Sequence, residues 1–270
     1  MEINFKDKTL VMGIMNVTPD SFSDGGKYAE VEQALVHARQ MIADGVDIID
    51  VGGESTRPGH VQISDDEEIE RIIPVIKAIR RQFDVLISVD TYKSKVADAA
   101  LAAGAHIIND IWGAKYDPAI AEVAAKWNVP IILMHNRNNK SYSDFQKDFL
   151  NDLKESIRIS LSAGVLPENI WLDPGIGFAK SVAQNLEAMK LTKQLTEWGY
   201  PVLLGTSRKS FIGKILDVQV DERVEGSLAT ICYGVTQGCH IVRVHDVKES
   251  VRAVRMIDAL TGKRPYKEGK

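Results

Sequence analysis

Apolar positions along this chain come in short, nearly unbroken runs rather than in strict alternation. Aliphatic and β-branched residues dominate 10–15, 46–51, 85–89, 106–108, 129–134, 170–172, 201–204 and 239–244. Runs of this kind fit strands buried on both faces, as in a parallel sheet. Between them lie amphipathic, Ala-, Glu- and Lys-rich stretches of helical length. Helix-start signals stand where such helices should begin. Ser64-Asp65-Asp66-Glu67 and Ser143-Asp144-Phe145-Gln146 read as capping boxes, Asp117-Pro118 as an N-cap before a first-turn proline, and Asp246 as the opening of the last helix. Gly45, Gly104 and Gly238 fall just before strands, where helices stop.

Eight strand–helix units in 270 residues predict an α/β fold, a single (β/α)8 TIM barrel spanning 1–270 with long loops after strands 1 and 2. An open, doubly wound sheet is the alternative. Against it, no Gly-x-Gly-x-x-Gly follows the first strand, and Gly175-Ile176-Gly177 comes late and lacks the third glycine. No shift in composition marks a second domain.

The first run empties into NVTPDSFSDGG at 16–26, which turns small and polar at once. Pro19, Gly25 and Gly26 break regular structure, and Asp20, Ser21, Ser23 and Asp24 are turn formers. Phe22, in the middle, reads either as a ring tucked onto the body or as the ring of a mobile lid over a ligand. This loop alone leaves both open.

Barrel active sites lie at the C-terminal ends of the strands. Those positions hold Asn16, then Asp50 with Gly52 to Gly59 after it, then Asp90, Asn109 and Asp110, and His135. Asp173 leads into Pro174 to Phe178, Gly205 opens Thr206 to Phe211, and the last strand delivers Arg243 and His245. Each has a bland explanation. Asp90 would cap a helix, Asp173 would form a turn, Asn109 and Asp110 would satisfy strand-end amides, and His245 would be a surface residue. Together they form a ring of polar groups whose burial without a ligand would be costly.

The ring has a sign pattern. Asp90, Asn109 and Asp173 suit a flat heterocycle rich in N–H donors, because a carboxylate accepts two parallel N–H bonds from such an edge. Lys209 is placed to donate to the same heterocycle. Arg243, His245 and Arg57 flank the first strand and predict a cationic corner beside Asn16 for a phosphate or diphosphate. No Gly-x-Ser-x-Gly elbow, His-Glu-x-x-His or Cys–His pair is present. Asn16, Asp24 and His245 could hold Mg²⁺ through a diphosphate, since that ion takes few protein oxygens. These features predict a transferase that expels diphosphate without a covalent nucleophile.

Composition narrows the partners. A net charge of −4, from 33 basic and 37 acidic residues, argues against a nucleic-acid binder acting through a basic field. No run reaches the roughly 18 apolar residues of a membrane helix, and MEINFKDK is too charged for a signal peptide. Cys232 and Cys239 read as buried thiols of a cytoplasmic protein.

Seven segments in order carry a resemblance: GIMNVTPDSFSDGG (13–26), IIDVGGESTRPG (48–59), ISVDT (87–91), IIND (107–110), LDPGIGFAK (172–180), GTSRKSF (205–211) and VRVHD (242–246). With them the chain resembles the bacterial dihydropteroate synthase family, pterin-binding barrels of folate biosynthesis. The resemblance implies condensation of 7,8-dihydropterin-6-ylmethyl diphosphate with 4-aminobenzoate, with Mg²⁺, to give 7,8-dihydropteroate and diphosphate. It implies Asp90, Asn109, Asp173 and Lys209 at the pterin, Asn16, Arg243 and His245 at the diphosphate, with Asn16 also at the metal, and Gly205 among the substrate-binding residues. It implies Thr56, Arg57, Pro58, Phe178 and Ser210 at the 4-aminobenzoate, which sulfonamides would displace, under a loop carrying Phe22. Asp90, Asp173, Lys209, Arg243 and His245 are the expected catalytic set, and a homodimer is the expected assembly. One departure stands out: His135-Asn136-Arg137 replaces the family's usual His-Met-Gln near the pterin pocket. The rivals are a methyltetrahydrofolate-dependent methyltransferase domain, which should lack the 16–26 loop and the diphosphate set, and an idle pterin-binding homologue, which should have lost Asn16 or the diphosphate residues.

Overall fold

The computed structural model describes residues 3–17, 26–54 and 62–264. Phe22, Asp24, Thr56, Arg57 and Pro58, all expected at the site, lie outside the described residues.

Strands and helices alternate as β1 (Leu10–Asn16), α1 (Gly26–Asp44), β2 (Ile48–Gly52), α2 (Asp65–Gln82), β3 (Leu86–Asp90), α3 (Ser94–Ala102), β4 (Ile107–Asp110) and α4 (Ala119–Trp127). They continue as β5 (Ile131–Met134), α5 (Phe145–Ser162), β6 (Ile170–Asp173), α6 (Val182–Thr196), β7 (Leu203–Leu204), α7 (Ser210–Leu216), α8 (Val224–Thr236), β8 (Ile241–Val244) and α9 (Val247–Leu260). The eight strands run parallel in the order β6-β5-β4-β3-β2-β1-β8-β7. A parallel bridge between Leu172 and Val202 joins the two ends into the expected barrel.

The strand sequences are apolar on both faces because two cores need them. Leu10, Met12, Ile48, Leu86, Ile107, Ile132, Trp171, Leu203 and Ile241 cluster in one core, filling the barrel interior. Val11, Ile49, Val51, Ile87, Val89, Ile108, Ile131, Leu133 and Val242 belong to the larger core shared with the helices. At the N-terminal end of the barrel Phe5 packs edge-on against Trp171 and His240, with centroids 5.3 and 5.4 Å away. Two imidazoles stand in for strand acceptors there. His106 Nδ1 accepts the Ile87 N–H at 3.0 Å, and His240 Nδ1 accepts the Val202 N–H at 3.1 Å.

Local signals are mostly obeyed, with instructive departures. Ser64 caps α2 by accepting the Glu67 N–H, and Gly45, Gly104 and Gly238 hold φ of 95°, 110° and 95° at helix ends. The second strand starts at Ile48 rather than 46, because the Asp47 carboxylate takes the Val11 N–H at 2.9 Å. Helix α5 is capped by Asp144, which accepts the Lys147 N–H, and not by Ser143, whose groups turn to Asp148. Asp117 spans two helices, accepting the N–H of Ser94 at 2.8 Å and of Ala119 at 3.3 Å. Asp246 precedes α9 but makes no side-chain cap, because Arg208 claims its carboxylate. Cys239 is buried as expected, whereas Cys232 is half-buried; both are free thiols.

Candidate active site

Strand alternation builds the site. Side chains two apart share a face, so the inner-core positions Ile48, Leu86, Ile107, Trp171 and Ile241 are succeeded, one step toward the C-terminal mouth, by Asp50, Ser88, Asn109, Asp173 and Arg243. A second step on β3 reaches Asp90. An apolar floor therefore carries a polar layer. Asp50, Asp90, Asn109 and Asp173 are all buried, at 0, 5, 3 and 5% exposure, in a region where an unpaired carboxylate is expensive.

Arg243 organises that layer. Its Nε donates to Asp50 Oδ2 at 2.6 Å and one terminal nitrogen donates to Asp90 Oδ2 at 2.5 Å. Asn109 Nδ2 donates to the same Asp50 oxygen at 3.0 Å. One guanidinium is thus shared by two carboxylates. Burial works against its charge, but Asp50 and Asp90 outweigh burial and hold its pKa above the ordinary value. Asp90 is pushed up to about 7 by burial, with Arg243 opposing and Asp50 adding to the rise. Asp50 Oδ1 and Asp90 Oδ1 are buried with no hydrogen-bond partner among the described residues. Two such acceptors in a charge-shared cluster fit a ligand that brings N–H donors.

The loops after β6 and β7 face each other across this layer. Gly175 N–H donates to Asp173 Oδ1 at 2.7 Å, so Asp173 is held by its own turn. Gly175 is required there: its φ is +63°, and an added Cβ would lie 2.0 Å from the His135 carbonyl oxygen. Burial pushes Asp173 up to about 6 and pulls Lys209 down to about 8, each restrained by neighbouring opposite charge. The Lys209 ammonium sits 4.2 Å from the centroid of the Phe178 ring. A small cleft opens between the two loops, lined by Asn109, Asp173, Phe178, Gly205, Lys209 and Arg243 together with Ile111, Met134 and Ile176.

The residue before Lys209 is backbone-strained. Arg208 adopts φ of +58° without being glycine. It is held from three sides: its N–H by Ser227 Oγ at 2.9 Å, its carbonyl by Arg223 at 3.0 Å, and its guanidinium by the Asp246 carboxylate. His245 lies beside this clamp, with its N–H and Nδ1 at 3.1 and 3.0 Å from Ser207 Oγ. Burial, then Arg243 and Arg208, pull its imidazole down to about 4, so it is neutral near pH 7.

Most of the expected positions that are described meet at one mouth: Asp90, Asn109, Asp173, Phe178, Gly205, Lys209 and Arg243 surround the polar layer. Asn16 is exposed at the end of β1, and Ser210 is exposed at the start of α7. Two members of the expected cationic corner, Arg243 and His245, are described, and the third, Arg57, lies outside the described residues. Arg243 is tied to Asp50 and Asp90, and His245 carries no charge, because both are desolvated among other groups. Arg137 turns onto Tyr142, 4.4 Å from its ring, and into Asp152, so neither it nor Asn136 lines the cleft.

Sequence reasoning passed over two features. Asp50 stands at a strand end among apolar residues; its step of two from Ile48 is the sequence signal that places it inside the barrel. Lys93 is buried, donating to Glu54 Oε2 at 2.7 Å, Glu68 Oε2 at 2.8 Å and the Ile63 carbonyl at 2.8 Å. Its partners come from three separate segments, which no local pattern reveals.

Among the described residues no group of three or more His, Cys, Asp or Glu is arranged to hold a metal ion.

Comparison with known proteins agrees with this geometry. Residues 12–245 match the pterin binding enzyme family. A dihydropteroate synthase of Bacillus subtilis is 59% identical over 97% of this chain and 92% of its own length. One of Clostridium beijerinckii is 56% identical over 96% of this chain and 97% of its own. Among solved structures, a Clostridium difficile dihydropteroate synthase in the presence of pteroic acid superposes with a TM-score of 0.93 at 47% identity, covering 96% and 99% of the two chains. A Xanthomonas albilineans dihydropteroate synthase with 4-aminobenzoic acid gives 0.90 at 40% identity, covering 94% of each. By profile, identity and shape alike, the chain belongs to the pterin-binding enzymes and, within them, to the dihydropteroate synthase family.

Proposed function

We propose that this chain condenses 7,8-dihydropterin-6-ylmethyl diphosphate with 4-aminobenzoate to give 7,8-dihydropteroate and diphosphate. Membership of the dihydropteroate synthase family supports the reaction. The observation that carries the site is the pair of buried carboxylates, Asp90 and Asp173, set around Asn109, Lys209 and Arg243 above an apolar floor. A pterin edge offers ring N–H and amino donors to the carboxylates and an oxygen and ring nitrogen to Lys209.

The chemistry follows from charge. The C–O bond between the pterin methylene and diphosphate breaks, and the pterin ring spreads the positive charge left on the methylene carbon. Asp90 and Asp173 hold negative charge beside that ring, which is electrostatic stabilisation by fixed groups. Arg243 and His245 face the departing anion, and His245 gains a proton more readily as the anion approaches. The neutral arylamine nitrogen then bonds to the carbon and loses a proton once its pKa has fallen. No dedicated base is needed. Phe178 and Ser210, with Thr56, Arg57 and Pro58, would shape the arylamine subsite, and Phe22 would cover it. Sulfonamides would compete with 4-aminobenzoate there.

Mg²⁺ would be held by Asn16 together with diphosphate oxygens and water, a donor set that suits an ion retaining most of its hydration. When bound, the ion would supply positive charge to the leaving group. A homodimer would bury Tyr233 of α8 and Met256 and Leu260 of α9, which are 41, 58 and 70% exposed. Among the described residues no helix is long and apolar enough to cross a membrane, and free thiols fit work in the cytoplasm.

Diphosphate release from the pterin diphosphate, with and without 4-aminobenzoate, tests the reading. Release that depends on the arylamine and collapses in Lys209→Ala is expected. Pterin binding with no release in the unaltered protein would move the chain to the idle class.

A further inference from the structure

Lys180 is 4% exposed and takes part in none of the steps above. Its ammonium donates to the Gly175 carbonyl at 2.9 Å and the Phe178 carbonyl at 3.1 Å, and lies 2.8 Å from His135 Nδ1. A lysine has three donors, and all three are engaged. His135 is fully buried just beyond β5, and its Nε2 lies 3.0 Å from Asp152 Oδ2. A carboxylate only accepts, so the imidazole carries its proton on Nε2 and leaves Nδ1 free to accept from Lys180. Burial pulls His135 down to about 4, so this contact with Asp152 is a neutral imidazole's hydrogen bond rather than an ion pair. Asp152 in turn accepts from Arg137 Nε at 2.5 Å. A hydrogen-bonded line therefore runs from α5, past the end of β5, to the loop after β6.

What that line holds is a wall of the cleft. Gly175 carries the N–H that fixes Asp173, and Phe178 carries the ring beneath Lys209. The backbone from Gly175 to Ala179 is irregular, with φ of +63° at Gly175, +89° at Gly177 and +45° at Ala179. Such backbone persists only where its surroundings over-determine it. Burial also pulls the Lys180 ammonium down to about 7, a cost the fold bears at a group that never reaches the cleft lining.

We propose that Lys180 is a positioning residue for the synthase reaction: by gathering the Gly175 and Phe178 carbonyls to one point, it fixes the Phe178 ring as a wall of the arylamine subsite. His135 acts through it by taking the third donor. The inference rests on the proposed condensation, and its test has an arm that needs no turnover.

Lys180→Met keeps length and volume and removes every donor. In this variant the KM for 4-aminobenzoate is expected to rise about tenfold, while binding of 6-hydroxymethyl-7,8-dihydropterin by calorimetry weakens by a smaller factor, because the Gly175 N–H also fixes Asp173. Amide exchange over 174–179 is expected to quicken by at least about tenfold, with exchange in β1 to β4 unchanged. Unaltered exchange and an unaltered KM for 4-aminobenzoate overturn the proposal. So does a loss of kcat with both KM values intact, which would mark a purely structural lysine. If Lys180→Met does not fold, His135→Leu removes one of the three acceptors and should move both readouts in the same direction by a smaller factor; no movement there overturns the proposal as well. Unaltered protein that releases no diphosphate would refute the condensation alone, since the exchange arm still reports whether Lys180 holds the loop.

Discussion

Arg243 and Asp90 are joined at 2.5 Å across the barrel mouth, yet the second oxygen of Asp90 is buried with no hydrogen-bond partner among the described residues. The guanidinium is divided between Asp90 and Asp50, so Asp90 keeps an acceptor for a donor-rich ligand. Asp90→Asn retains the shape and loses the charge. It should lower kcat/KM by at least about 100-fold, because a charge-assisted pair of hydrogen bonds becomes a neutral one. Thermal stability should fall, since the buried Arg243 guanidinium loses one of its two carboxylate partners. Steady-state kinetics and a melting curve check both halves; activity within tenfold of the unaltered protein would sink the assignment.

Lys209 gives a pH signature. Its ammonium is pulled down to about 8, so the charged form is full below that value and is lost above it. kcat/KM for the pterin substrate should therefore decline through about pH 8, and Lys209→Arg should move the decline to higher pH. A profile flat to pH 10 would refute a charged Lys209 in the rate-determining complex.

His245 should respond to the anion. Its imidazole is neutral in the free protein because burial and two arginines pull it down to about 4. Diphosphate brought beside it adds opposing charge and should raise that pKa by a unit or more, about 1.4 kcal/mol per unit. NMR titration of the ring protons with and without diphosphate measures this directly. A pKa at or above 6.5 in the free protein, or no change on adding diphosphate, would contradict the placement.

At the opposite end of the barrel, His240 predicts an acid-dependent loss of stability. The fold holds it neutral, pulled down to about 4 by burial and Lys263, against 6.5 when unfolded. A depressed folded pKa contributes stability that is full above about 6.5 and is lost progressively as pH falls toward about 4. With allowance for its partial exposure, His240 should account for up to about 1 kcal/mol between pH 7 and pH 5. Asp90 and Asp173, raised by burial, act in the opposite sense over an overlapping window, so the His240 contribution is read from the difference between variant and parent. His240→Asn, which still offers an oxygen to the Val202 N–H, should lose less stability than the parent over that interval. Parallel denaturant curves at the two pH values would decide it, and identical slopes would remove His240 as a cause.

The strands were legible because both faces of each are apolar, and an unbroken run such as IIDV at 48–51 leaves little choice. The site was legible as a list of strand-end residues. Its wiring was not. Asp50 sits within an apolar run, and its two partners come from β4 and β8, so nothing near it in sequence announces them. Helix caps failed where tertiary contacts outbid local ones: Asp246 looks like an N-cap until Arg208, 38 residues earlier, takes its carboxylate. His135 stands at a strand end like the mouth residues, but its ring is turned toward Asp152 and Lys180, a direction that only the packing of α5 determines. Strained backbone at Arg208 is equally silent in the sequence, because no glycine marks it.

The lateral joint between β6 and β7 rests on the single bridge at Leu172 and Val202, whereas β1 and β2 share five paired positions. Asp173 stands on one lip of that joint and Lys209 beyond the other. A heterocycle gripped by both is therefore also a rivet across the barrel's thinnest seam, and filling the cleft fastens the staves together.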